Sequence, residues 1–362
     1  MRVEDLDTPA LLIDYDKLRA NIDAMAATVA GTGVALRPHA KTHKMPQVAK
    51  LQIAAGSSGV TVAKLGEAEV MAAAGIRDLF VAYPIVGEQK LERLTRLAAA
   101  NDVRVAADSW EVLAGIGAAA ARRGLRIDVL LEVDSGFGRC GLQTPEDVLA
   151  LARRAQELDG VRAIGLMGFG GHSYGAASED EIARIARAEA TQLVELAQMA
   201  RAEGIDLREI SIGSTPTSRY AAATPGVTEA RPGNYVFSDR IQVGLGWRGF
   251  DDCALTVLTT VVSRPTPDRA VVDVGSKGLS SDTAPEPGYG HVIGQPAASV
   301  ETLTEEHGIL RVADGRSLPV GAKLRIIPNH ACAALNLFDH AWIVADGRVE
   351  DRWAVAARGK MQ

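Results

Sequence analysis

Residues 37–44, Arg-Pro-His-Ala-Lys-Thr-His-Lys, set three cationic side chains and two imidazoles within one octapeptide. They follow Gly33-Val34-Ala35-Leu36, whose apolar end reads as a buried strand. Pro38 stops regular pairing there, because it has no N–H and biases the preceding residue to extended geometry. The octapeptide is therefore expected to leave the strand's carboxyl end as a short loop centred on Lys41. A lysine held among like charges has a depressed pKa and becomes a nucleophilic amine. Taken alone, the same stretch also describes a solvated basic loop. Three glycine- and hydroxyl-bearing turns come later: Gly168-Phe169-Gly170-Gly171-His172-Ser173, Gly213-Ser214-Thr215-Pro216-Thr217 and Arg231-Pro232-Gly233-Asn234-Tyr235. The last two, after the seventh and eighth strands, can cradle a phosphate through backbone N–H groups and hydroxyls, although each is also an ordinary turn. His330-Ala331-Cys332 adds an imidazole and a thiol two positions apart, which in extended geometry point to one side. Two protein ligands are too few for a closed structural zinc site. The pair suits a catalytic ion completed by water and substrate, and the thiol favours zinc over magnesium or calcium.

The elements that must position these groups alternate. After a short strand at 10–13 and a helix over 15–30, eight strands are predicted: Val34–Leu36, Gly59–Val62, Leu79–Ala82, Val103–Ala106, Val129–Val133, Ala163–Met167, Ile210–Ile212 and Thr228–Ala230. Helical patterns lie between them near 46–55, 66–74, 88–99, 110–122, 145–157 and 179–203. Thr144-Pro145-Glu146 and Ser178-Glu179-Asp180 are helix-start signals. This order fits an α/β fold, a (β/α)8 TIM-type barrel over 14–250, better than an open doubly wound sheet. Beyond about Phe250 the texture becomes short Val/Ile-rich runs, with Asp314-Gly315 and Asp346-Gly347 as hairpin signals. A C-terminal all-β domain over 251–362 follows, which the strand at 10–13 is a candidate to join. In a barrel, catalytic groups gather at the strands' carboxyl ends, where Lys41 and the three turns are expected. A reactive lysine and a phosphate cradle on one face suggest pyridoxal phosphate, which needs both.

The chain has 362 residues, 47% of them hydrophobic, enough for such a core. A net charge of −6 and the lack of a basic run exclude nucleic acid and anionic membrane as expected partners. No signal-peptide pattern or membrane-length apolar run occurs, and Cys140, Cys253 and Cys332 are too few and scattered for a disulfide framework. A soluble, reduced, cytoplasmic globular protein is expected.

The motifs in residues 37–44, Glu132-Val133-Asp134-Ser135-Gly136-Phe137-Gly138-Arg139, Gly171-His172-Ser173-Tyr174, 213–217, 231–235 and Pro328-Asn329-His330-Ala331-Cys332 together resemble the D-threonine aldolase and D-serine dehydratase family. The resemblance runs from about Asp7 to Asp339 and implies an alanine racemase-like pyridoxal phosphate barrel with a C-terminal β domain. It implies that Lys41 is the Schiff-base lysine, with Arg139 near the cofactor ring's phenolic oxygen and His172 beside the ring. Ser214, Thr215, Gly233 and Asn234 would hold the phosphate, with Tyr235 at its edge. His330 and Cys332 would carry a divalent metal, zinc or manganese. Cys140 and Cys253 are read as small buried hydrophobes. Lys64 and Lys277 are read as surface lysines, and Asp282, Tyr289 and His291 as residues that could reach a neighbouring subunit's site.

The same constellation supports two reactions of a D-β-hydroxy amino acid. Loss of the hydroxyl proton cleaves Cα–Cβ to glycine and an aldehyde, as in D-threonine aldolase. Loss of the α-proton expels the hydroxyl, as in a D-serine or 3-hydroxy-D-aspartate dehydratase. In the family a carboxylate at the second metal position goes with aldolases and a thiolate with dehydratases, so Cys332 points to dehydration. The compact chain, without extra insertions, has the texture of the aldolase branch, which is the reading preferred. An amino acid racemase needs no metal, and a non-catalytic pyridoxal phosphate carrier resembles the barrel alone; both are weaker readings.

Overall fold

The computed structural model describes residues 1–313 and 318–362, so the expected Asp314-Gly315 turn lies outside the described residues. The chain forms two compact units, one of 24–41, 48–233 and 360–362, the other of 1–23, 42–47 and 234–359. The chain opens with β1 (Ala10–Asp14) and α1 (Tyr15–Ala30). A strict alternation follows: β2 (Ala35–Leu36), α2 (Pro46–Ala54), β3 (Val60–Val62), α3 (Leu65–Ala73), β4 (Asp78–Pro84), α4 (Glu88–Ala98), β5 (Asp102–Ala107) and α5 (Trp110–Ala121). It continues as β6 (Ile127–Glu132), α6 (Pro145–Ala155), β7 (Val161–Met167), α7 (Glu179–Ala202), β8 (Glu209–Ile212), α8 (Ser218–Ala221) and β9 (Glu229–Ala230).

In the first unit the eight strands pair in parallel in the order β2-β9-β8-β7-β6-β5-β4-β3. The edge strands then meet: His39 bridges Thr61 in parallel, and the Thr61 N–H donates to the Pro38 carbonyl at 2.8 Å. That closure separates a barrel from an open sheet, and it is the TIM-like half of the expected fold. Phe80, Ala106, Leu130 and Met167, from four successive strands, pack as one buried cluster. Burying an apolar side chain of this size contributes roughly 1.5–3 kcal/mol. The helix starts are capped as their sequences indicate. Thr144 Oγ1 accepts the Asp147 N–H at 3.2 Å with Pro145 in the first turn, and Ser178 Oγ accepts the Glu181 N–H at 3.2 Å.

The second unit is built on β10 (Leu255–Thr266), β11 (Arg269–Val272), β12 (His291–Val292), β13 (Ala298–Leu303), β14 (Gly308–Val312), β15 (Lys323–Ile327), β16 (His340–Ala345) and β17 (Arg348–Ala354). With β1 they form a sheet ordered β11-β14-β13-β12-β15-β10-β1-β16-β17, and the additional β10–β11 pairing closes six strands into a ring. The strand at 10–14 sits between β10 and β16, antiparallel to one and parallel to the other. At Asp346-Gly347 both residues have positive φ, 48° and 72°, as a tight hairpin between twisted strands requires. Sequence reading misses β12, β13 and β17. Along β17 the residues are Arg-Val-Glu-Asp-Arg-Trp-Ala, mostly exposed, which is the charged edge that discourages further pairing rather than an apolar run. Among the described residues, no helix is long and apolar enough to cross a membrane.

Candidate active site

In the barrel unit, β2 ends and the chain turns through a short 3-10 segment, Ala40–Thr42, that carries Lys41. The Lys41 Nζ stands 5.6 Å from the centroid of the Phe169 ring, and the Lys41 N–H points at His39 Nδ1, 3.4 Å away. Arg139, in the loop after β6, lies over the same ring at 4.9 Å and over Phe137 at 5.6 Å. Phe137 and Phe169 meet edge to face at 5.5 Å. Asp134 shapes that loop by accepting the N–H groups of Gly136 and Gly138 at 3.0 and 3.1 Å. Burial works against its charge, but these donors win and hold the carboxyl below its ordinary pKa. Gly136 has φ of 103°, and a Cβ there would stand 3.5 Å from His172 Cε1, so the imidazole packs on the bare glycine. The buried His172 Nδ1 has no hydrogen-bond partner among the described residues.

The turn after β8 is tied to the turn after β7. Ser214 Oγ lies 3.3 Å from Ser173 Oγ and 2.9 Å from Thr217 Oγ1, and Thr215 is fully buried beside it. A connected set thus runs from Lys41 through Phe169 to Arg139, and from Gly136 through His172 and Ser173 to Ser214. Gly233 is buried at the end of the last barrel turn.

Of the octapeptide's charged groups, Arg37 is balanced by carboxylates. Arg37 is buried, with Nε 2.6 Å from Glu229 and the two terminal nitrogens 2.6 and 3.0 Å from Asp78. Its charge is therefore matched by two carboxylates, and it braces the barrel. Removing either carboxylate would cost on the order of 3 kcal/mol. Arg231 is likewise buried; Nε donates to Ser211 Oγ at 2.7 Å and a terminal nitrogen to the Gly168 carbonyl at 2.5 Å.

In the β unit, His330 is the N-cap of the short helix α9 (Ala331–Leu335), and Cys332 lies in its first turn. The extended geometry expected for this pair does not occur, since a helix begins between the two residues. They still interact. Burial disfavours the charged imidazole, yet Cys332, Asp282 and Asp239 outweigh it and push the His330 pKa up to about 11. His330 Nδ1 is 2.6 Å from Asp282 Oδ2, and the Cys332 thiol donates to Thr42 Oγ1 at 3.3 Å. Among the described residues, no group of three or more His, Cys, Asp or Glu side chains is placed to hold a metal ion. Asn234 Nδ2 donates to Asp239 Oδ2 at 2.5 Å, its buried Oδ1 has no hydrogen-bond partner among the described residues, and Tyr235 is fully buried.

The remaining candidates sort by contact. Lys64 Nζ lies 3.6 Å from the Tyr83 ring, and Lys277 is an exposed residue bridged to Glu305 and Glu306 at 2.9 and 2.8 Å. His291 stacks on Phe250 at 3.8 Å, while Asp282 turns to His330. Cys253 is buried, which pushes its thiol up to about 12. Cys140, expected to be buried too, is only half-buried and donates to Glu132 Oε1 at 3.2 Å, because it sits in the open loop after β6.

Two carboxylates escaped sequence reading. Asp239 is fully buried and accepts the Gln242 and Ala331 N–H groups at 2.9 and 2.8 Å; burial raises its pKa. Glu189 is fully buried in α7, and burial pushes its pKa up to about 7. The signal was present: Ile182, Ile185, Ala186, Glu189, Ala190 and Leu193 form one buried helical stripe, in which a carboxylate is out of place.

The alanine racemase N-terminal domain family matches residues 13–240, and the serine dehydratase domain family matches 254–344. A D-threonine aldolase of Arthrobacter sp is 38% identical over 358 residues, 98% of this chain and 93% of that protein. The crystal structure of the D-threonine aldolase from Filomicrobium marinum superposes with a TM-score of 0.92 at 30% identity, covering 100% of this chain and 98% of that one. A D-threo-3-hydroxyaspartate dehydratase, solved as a cysteine-to-alanine mutant in the metal-free form, gives a TM-score of 0.92 at 34% identity, covering 98% of each chain.

Proposed function

This chain belongs to the family built on the alanine racemase N-terminal domain, here joined to a serine dehydratase domain, and on that premise we propose that it is a D-threonine aldolase. Its relatives are aldolases and dehydratases, and it is a lyase. The observation that carries the proposal is the gathering of Lys41, Arg139 and His172 about Phe169 and Gly136, joined through Ser173 to the buried hydroxyls of the turn after β8. The substrate is a D-β-hydroxy amino acid, cleaved between Cα and Cβ to glycine and an aldehyde.

The residues present fit pyridoxal phosphate. An amine at a strand end, a buried imidazole nitrogen without a partner and a nest of buried hydroxyls match an aldehyde, a ring and a phosphate. Lys41 would hold it covalently, Arg139 would face its phenolic oxygen, and His172 would pack beside its ring. Ser214, Thr215 and Gly233 would hold its phosphate; on the family pattern alone Asn234 would hold it too, with Tyr235 at its edge. When bound, the cofactor supplies an electron sink for charge developing at the α-carbon. The donor set at His330 and Cys332 fits a divalent metal as well. Nδ1 faces Asp282, the arrangement that orients metal-binding histidines, and Nε2 would release its proton to take an ion. The ion would supply Lewis acidity toward the β-hydroxyl. Zinc suits the thiolate, and manganese is the other candidate.

One observation favours a second reading. Cys332 offers sulfur where the family's aldolases carry a carboxylate, which points to a D-serine or 3-hydroxy-D-aspartate dehydratase. In that case Lys41 takes the proton at the α-carbon and the hydroxyl leaves. Purified protein incubated with D-threonine and with D-serine, plus zinc or manganese, separates the two. Glycine and acetaldehyde from D-threonine are expected; a keto acid and ammonia without glycine would replace the aldolase by the dehydratase. The enzyme is proposed to act as a homodimer.

A further inference from the structure

We infer that Glu189 is a positioning residue that ties the turn carrying His172 to the turn carrying Ser214 and Thr215, and so sets the shape of the cofactor's seat. The inference rests on the cofactor reading above. Glu189 occupies the buried stripe of α7, where an apolar residue would pack without the desolvation cost of a carboxyl. Its Oε1 accepts the Gly213 N–H at 3.2 Å, one residue before Ser214. Its Oε2 is buried and has no hydrogen-bond partner among the described residues. The same carboxyl backs onto the other turn: a Cβ on Gly170 would stand 2.7 Å from Oε2, and one on Gly168 would stand 3.3 Å from Oε1. The turn can approach that closely only because both positions lack side chains. Arg231 grips Gly168 through the carbonyl group, so this segment is held by an acceptor and a donor. Glu189 acts through the backbone of both turns.

Length, not charge, is what this geometry requires, and two single substitutions separate them. Glu189→Gln keeps the reach and an oxygen for the Gly213 N–H. Glu189→Asp keeps the charge but falls one methylene short. Pyridoxal phosphate titrated into the apo protein should bind Glu189→Gln within about threefold of wild type and Glu189→Asp about tenfold more weakly, the effect of leaving one buried N–H unpaired. Amide exchange should quicken in Glu189→Asp within 168–173 and 213–217 and stay unchanged in β7 and β8. Wild-type affinity in Glu189→Asp, or an equal loss in both variants, would overturn the inference. If wild type itself takes up no pyridoxal phosphate, the cofactor reading fails. The exchange measurement then decides about Glu189 alone, with unchanged exchange in Glu189→Asp counting against it.

Discussion

At the scale of single residues, Lys41 carries the sharpest expectation. Borohydride reduction of the cofactor-loaded protein should fix pyridoxal phosphate to the peptide containing residues 37–44. Fixation at Lys64 or Lys277 would sink the assignment, and both already have other partners, a tyrosine ring and two glutamates. Lys41→Ala should fold normally and retain less than about a thousandth of wild-type turnover, as when a covalent catalytic group is removed. Glu189 makes a prediction of a different kind. Its carboxyl ionises with the ordinary value of 4.5 when unfolded and at about 7 when folded, chiefly because burial disfavours the charge. Between those values the folded state keeps a proton that the unfolded state releases. The stabilisation is complete below the unfolded value and is lost as pH rises through the folded one. Relative to Glu189→Gln, which cannot ionise, wild type should lose about 3 kcal/mol across the window, read by urea unfolding at a series of pH values. A constant difference would show that Glu189 does not titrate there.

At the scale of elements, the barrel depends on close backbone approach between neighbouring strands. On β7, a Cβ at Gly165 would lie 2.0 Å from the Glu209 carbonyl oxygen on β8. Gly165→Ala must spread that pair, and should destabilise by about 3 kcal/mol, the upper end of ordinary overpacking. Chemical denaturation checks it, and a cost below that of an exposed glycine replacement would mean the strands can part freely. The elements themselves were legible from the chain. Each of the eight barrel strands and each of the six helical patterns between the first seven of them appears within a few residues of its expected place, because apolar runs and caps are local signals. The strands β13 and β17 were not legible, since each buries little and pairs through its backbone, which leaves no hydrophobic record. The His330–Cys332 geometry was misjudged for a similar reason. Whether two residues continue a strand or open a helix is decided by what caps the helix, and here the Ala331 N–H is taken by the distant Asp239.

At the scale of the whole molecule, the lyase reading requires cofactor and metal to serve one reaction. Chelation should stop turnover without releasing pyridoxal phosphate, and zinc or manganese should restore it. Asp282→Asn should lower metal affinity by about 10–100-fold, the usual cost of losing the partner that orients a ligating histidine. Metal content after equilibrium dialysis measures this directly. Turnover that is indifferent to chelators would remove the metal from the mechanism and leave α-carbon racemization as the better use of the same lysine.

The order of the elements, the closure-compatible strand count and the family were determined by the chain itself, since they follow from local periodicity and from motifs that keep their identity wherever they fold. Lys41 and the hydroxyl turns are placed at strand ends in this way, because periodicity alone locates those ends. Tertiary structure alone decided what the charges do. Arg37 reads as one charge of a basic octapeptide until Glu229 and Asp78, from strands remote in sequence, are seen to match it. Glu189 became visible as a link only when the turns after β7 and β8 were brought to its two oxygens. Electrostatic and hydrogen-bond roles are set by partners far along the chain, and a sequence records a residue's type without recording what the fold places beside it.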